Sequence, residues 1–97
     1  MDDEAFDDFY LHDYAAIVAA VGAVTGDVGE ARDAVDEATA RAWERAKRDR
    51  MPDSLPAWIR VVALNVARGR LRRRAPERRA RARLIASERA STMHRTR

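Results

Sequence analysis

The 97-residue sequence contains no cysteine, which rules out disulfides and thiolate metal sites. Its two histidines, His12 and His94, lie far apart and make no zinc spacing. Glycine occurs four times and nowhere builds a loop that could cradle a phosphate. Aromatic residues are 6% of the chain, and much of its 46% hydrophobic content is alanine, so the core of this one small domain is modest. The opening MDDEAFDDFY has neither a positive n-region nor a long apolar run. No signal peptide or membrane span is therefore expected, and the chain reads as soluble and cytoplasmic. Ser54, Ser87 and Ser91 have no histidine beside them that could act as a base. The acids of the second helical segment, one to four residues apart, fit a solvated face better than a Mg²⁺ site. The reading is a non-catalytic protein with no cofactor and no metal.

What is present is charge, unevenly placed. The net charge is only +3, but residues 1–40 carry 11 acids against one basic residue, Arg32, and residues 41–97 carry 18 basic residues against 5 acids. Such a split suggests two faces with different partners, the basic one being a candidate surface for nucleic acid. Arginine makes up 18 of the 19 basic residues, and its planar fork suits paired contacts to phosphates and base edges.

Hydrophobic periodicity gives an all-α fold. Phe6, Tyr10, Tyr14, Ile17, Val21 and Val24 recur at steps of three and four, predicting one amphipathic helix. Gly26 suits its C-cap and Asp27 the next N-cap. A second helix is predicted over 28–48, with the stripe Ala31, Val35, Ala38, Thr39, Ala42, Trp43 and Ala46, whose small residues imply close helix packing. The stretch RDRMPDSLP reads as a short loop opening onto a third helix at about Leu55, with Pro56 in its first turn. That helix is expected to stop at Arg73 or Arg74, because Pro76 pushes the residue before it out of helical geometry. Residues 77–97 are read as a poorly anchored fourth helix at 77–90 followed by a disordered end. The expected division is a domain over 1–75 and an arginine-rich linker or tail over 76–97.

The third helix changes character along its length. Ile59, Val62, Ala63 and Val66 share one side; Trp58, Val61, Asn65, Arg68 and Arg72 fall on another. Asn65 thus leads a polar stripe running into Arg68, Arg70, Arg72, Arg73 and Arg74. Arginine and asparagine are the side chains that make paired contacts with guanine and adenine edges, and a neighbouring loop with an aromatic could hold unstacked bases. Asn65 could equally bridge helices inside the core. Five like charges in seven residues repel one another, a repulsion that a polyanion would relieve.

Three blocks carry a family resemblance. TGDVGEARDAVDEATARAW resembles the stretch of extracytoplasmic-function sigma factors written T-G-D, then A-E-D-x-V-Q-E-x-F-x-R-A-W. PAWIRVVALNVARGRLRRR is similar to their A-W-L-x-x-I-A-x-N-x-x-x-D-x-x-R-R, and FDDFYLHDYAAIVAAV to their opening helix. The blocks stand in order with matching spacing over about residues 5–75. The resemblance implies the three-helix region-2 domain of a bacterial RNA polymerase initiation factor. It implies that the second helix docks on the clamp helices of the polymerase β′ subunit, with Asp33, Asp36, Glu37 and Arg41 at the interface and Val35 and Trp43 at or beneath it. It further implies that the loop Arg50, Met51, Asp53 and Ser54 captures a flipped non-template base of the minus-ten element. Asn65, Arg68, Arg72 and Arg73 would lie along the DNA, with Trp58 at the junction of loop and helix. An anti-sigma factor is a further possible partner.

The sequence also departs from the family pattern. Arg32 replaces a glutamate, Asp36 a glutamine, Thr39 and Ala40 bulky apolar residues, and Gly69 an aspartate. No helix-turn-helix for a minus-thirty-five element is expected in 76–97, so the chain reads as a fragment or a divergent single-domain protein. Two alternatives stay beside the initiation reading: a sigma-like regulator that binds polymerase or an anti-sigma factor without initiating, and a general helical nucleic-acid-binding module.

Overall fold

A computed structural model describes the backbone of residues 3–95 and the side-chain surroundings of residues 3–90. The described residues form four helices in the order α1 (Asp3–His12), α2 (Tyr14–Thr25), α3 (Val28–Lys47) and α4 (Leu55–Arg95). The all-α expectation holds; the helix count and two boundaries differ.

The expected first helix is two. The break falls at Asp13, whose φ of −119° is far from the ideal helical value, although its N–H still donates to the Phe9 carbonyl at 2.9 Å and its own carbonyl accepts from the Ile17 N–H at 3.0 Å. The break shifts the phase of the apolar stripe, so Phe9 and Val18 are buried while Tyr10 and Val24 are exposed. Where the sequence carries explicit caps, it is followed closely. Gly26 takes the left-handed conformation at φ 73° and donates its N–H to the Gly22 carbonyl, ending α2. Asp27 then caps α3, its Oδ1 accepting from the Glu30 N–H at 3.1 Å.

α3 ends in a Schellman motif. The Arg50 N–H reaches the Arg45 carbonyl at 2.9 Å and the Asp49 N–H reaches that of Ala46 at 3.2 Å. The left-handed position, at φ 55°, belongs to Asp49, one of the few non-glycine types that visit it without large cost. Ser54 opens α4 with its Oγ accepting from the Ala57 N–H at 3.4 Å and its carbonyl accepting from the Trp58 N–H at 3.0 Å. Loop 48–54 is therefore hydrogen-bonded at both ends, and its shortness makes α3 and α4 antiparallel neighbours.

The core lies between α2, α3 and the first half of α4, with α1 closing one end. Phe9, Ile59, Val21 and Val35 are its largest fully buried side chains, each stabilising the fold by about 1.5–3 kcal/mol. Ala31, Ala34, Ala38, Ala42 and Ala46 of α3 are buried in the same core as Ala63 and Ala67 of α4, and a Cβ on Gly22 of α2 would lie 3.7 Å from that of Ala31. Small side chains on both sides allow a close approach, as the alanine-rich stripe implies. Thr39, the one buried polar residue among the described residues, donates its hydroxyl to the Val35 carbonyl at 2.8 Å.

α4 does not stop before Pro76. It continues to Arg95 with the proline inside it, which corrects the expected end at Arg73 or Arg74 and the expected gap before a separate helix. Proline removes one intrahelical hydrogen bond and crowds the carbonyl four residues earlier. That carbonyl belongs to Arg72, which is exposed and can turn to water. The flanking alanine, glutamate, arginine and leucine residues are strong helix formers and carry the helix across. The expected disordered end is likewise helical as far as Arg95; residues 96 and 97 lie outside the described residues. Every residue of 76–90 is exposed. Because α4 alone is about 60 Å long, the molecule measures 70 × 24 × 14 Å.

Candidate nucleic-acid interface

The basic half of the chain is held by two acids of α3. Arg70 Nη2 lies 2.7 Å from Glu37 Oε2, and Arg74 pairs with Glu30. Glu37 also accepts from Arg41 at 3.1 Å, one turn further along its own helix. The five-arginine cluster therefore repels itself less than its sequence suggests. Two of its members are neutralised across the helix interface, leaving Arg68, Arg72 and Arg73 exposed. Each pair is partly solvated, so its worth is below about 1 kcal/mol; the rotation of α4 about its axis is set mainly by burial of Leu55, Ile59, Ala63, Val66 and Ala67.

That rotation decides the place of Asn65. It is exposed, which removes the alternative of a helix bridge inside the core, while its neighbours Val66 and Ala67 are buried. Asn65, Arg68, Leu71 and Arg72 line one shallow hollow. On its other flank, Asn65 shares a second hollow of about 290 Å³ with Glu37, Arg41, Gly69, Arg70 and Arg73. Asn65 and Arg73, expected at DNA, thus meet Glu37 and Arg41, expected at polymerase, in one depression. Sequence reasoning missed the pairing of Arg70 with Glu37 and of Arg74 with Glu30. The signal lay in acids and arginines that face each other once α3 and α4 run antiparallel.

Trp58 is half-buried against the core, and the Arg45 guanidinium sits 5.4 Å from the centre of its ring, a cation–π contact. One face of the ring is thereby occupied, and Trp58 ties the end of α3 to the start of α4. In the loop, Met51 packs partly against the core, whereas Arg50, Asp53 and Ser54 are exposed. The loop thus has an apolar anchor and a polar rim.

On α3, Asp33, Asp36 and Arg41 are exposed and Glu37 is half-buried. Val35 is fully buried, and Trp43 is half-buried with its ring edge-on to Phe6 at 5.0 Å; both lie beneath that outer face. Asp36 is not idle, because its Oδ1 accepts the Tyr14 hydroxyl at 2.9 Å. Burial and this hydrogen bond to a carboxylate raise the Tyr14 pKa above its ordinary 10.0. Gly69, where the family pattern has aspartate, is not required by packing. A methyl group there meets only the Arg73 guanidinium, at 3.9 Å.

Among the described residues no group of histidine, aspartate and glutamate is placed to hold a metal ion. No helix among them is long and apolar enough to cross a membrane. No curated protein and no solved structure matches the chain. The family model for sigma-70 region 2 matches residues 9–77, taking in α2, α3, the loop and the first half of α4. An acidic α3 carrying an arginine-edged α4, with this match across most of its length, makes the chain a member of the sigma-70 region 2 family.

Proposed function

We propose that this chain is the polymerase-docking and minus-ten-reading module of an extracytoplasmic-function type of sigma factor. The outer face of α3, through Asp33, Asp36, Glu37 and Arg41, docks on the β′ clamp helices. Loop 50–54 receives an unstacked base of the non-template strand. Asn65 reads a base edge, and Arg68, Arg72 and Arg73 hold phosphates, so that positioning and reading fall to different side chains of one helix. Family membership supports polymerase and promoter DNA as partners in general. The finer reading rests on one observation: Asn65 is exposed between two arginine-lined hollows on a helix fastened by Arg70 and Arg74.

The chemistry suits strand opening. A base that has left the stack can enter a pocket beside the loop, and the exposed arginines offset the charge of the separated strand. One small module makes few contacts, so its binding to DNA alone is weak and sensitive to salt. Immobilised protein should retain polymerase core, and Asp33→Arg, which reverses an exposed charge on α3, should reduce that retention several-fold. Absence of retention by the unaltered chain contradicts the docking role. Retention without any transcript from a minus-ten template supports the regulator instead. The substitutions at Arg32, Asp36 and Gly69 are the features that favour this second reading.

A further inference from the structure

A hollow of about 700 Å³ lies between α1 and α3, away from the arginine hollows. Phe6, Ala40 and Trp43 make its apolar floor, and Asp3, Asp7, Asp36 and Glu44 stand around it. Its size falls within the range of clefts that take organic ligands, but an acidic rim over an apolar floor asks for an occupant that is both basic and apolar.

The second half of α4 has that chemistry. Leu84 and Ile85 are 60% and 44% exposed; Arg78, Arg79, Arg81 and Arg83 precede them in sequence and Arg89 follows. Phosphate binding by a cationic helix needs no such aliphatic pair. The helix cannot reach the hollow of its own chain. α4 runs antiparallel to α3, and at Arg74 it already lies beside Glu30, near the start of α3. Beyond that point it leads past the α3 N-terminus and away from the hollow at residues 36–44.

We infer that the acidic hollow between α1 and α3 receives the Leu84–Ile85 segment of α4 from a second copy of this chain. Leu84 and Ile85 enter over Ala40 and Trp43, and the tail arginines meet the acids of the rim. Two copies that exchange tails make the contact twice about a two-fold axis, which closes the assembly as a dimer and avoids a filament. Asp36 belongs both to this hollow and to the proposed polymerase face, so the dimer and the polymerase complex exclude each other.

Sedimentation of the full chain from micromolar to millimolar concentration tests this inference. Dimers should form at low salt and dissociate at high salt. Leu84→Asp in the tail and Ala40→Arg in the hollow are both exposed substitutions that leave the core intact, and circular dichroism checks that each variant stays helical. Each should raise the dimer dissociation constant about tenfold or more, as expected for loss of a central anchor. A mixture of the two variants retains one intact tail and one intact hollow, and should form a one-to-one heterodimer more readily than either variant pairs with itself. A chain that stays monomeric throughout overturns the inference, as does a dimer indifferent to both substitutions. Leu84→Asp that weakens single-stranded DNA binding with no change in mass also overturns it and assigns the tail to nucleic acid.

Discussion

At the scale of single residues, the account depends on Asn65 and the arginines doing different work on one helix. An amide that pairs with a base edge contributes about 1–3 kcal/mol of discrimination, whereas a guanidinium on a phosphate adds affinity for every sequence. Asn65→Ala should therefore flatten the preference between a minus-ten-like strand and a scrambled one. Arg73→Ala should weaken both strands alike and reduce the steepness of the salt dependence. Fluorescence titrations of both strands check this, and identical effects of the two substitutions refute the division. Tyr14 gives a separate, thermodynamic test. Its raised pKa means that the folded chain holds the phenolic proton more tightly than the unfolded chain. Its contribution is fully present below pH 10.0 and is lost as pH climbs through the higher folded value. Denaturant melts should show alkaline destabilisation that is smaller in Tyr14→Phe. An unchanged alkaline slope argues against the Tyr14–Asp36 hydrogen bond.

At the scale of elements, what could be read from sequence followed how local its cause was. Gly26, Asp27 and Ser54 act on their own backbone neighbours, and each caps the helix end that its residue type implies. The α3 stripe is legible because Ala31, Val35, Ala38, Ala42 and Ala46 are all buried at helical spacing, as is Ala34, which the stripe does not include, whereas Trp43 turns toward Phe6 of α1. The break at Asp13 was not legible, since LHDYAA contains no glycine or proline and a lone aspartate with helical hydrogen bonds on both sides does not mark a helix end. Pro76 misled in the other direction: a local rule predicted a stop, and the helix-forming residues on both sides outweighed it. The candidate site divides in the same way. The polar stripe of α4 could be seen on a helical wheel, but the pairing of Glu30 and Glu37 with Arg74 and Arg70 needed the antiparallel packing of two helices. Gly69 belongs to this scale, because it weakens α4 in the middle of its arginine segment. With open space around its Cα, Gly69→Ala should stabilise the fold by about 1 kcal/mol. Thermal melts check it; destabilisation would show that the glycine is required by a contact absent from this structure.

At the scale of the whole molecule, the uneven charge of the sequence becomes a spatial arrangement. Acids stand on α1 and on the outer face of α3, α4 runs some 60 Å and is arginine-rich from Arg68 onward, and Glu30 and Glu37 join α3 to it at their seam. Membership of the sigma-70 region 2 family supports polymerase core and promoter DNA as partners in general, and the proposed assignment gives the outer face of α3 to the first and the arginine edge of α4 to the second. The measurement that tests this most directly is a titration of a fluorescent single strand carrying a minus-ten-like sequence, with and without polymerase core. The account predicts weak, salt-sensitive binding by the chain alone and stronger, sequence-dependent binding once core is present. Equal binding to a scrambled strand in the presence of core would contradict it.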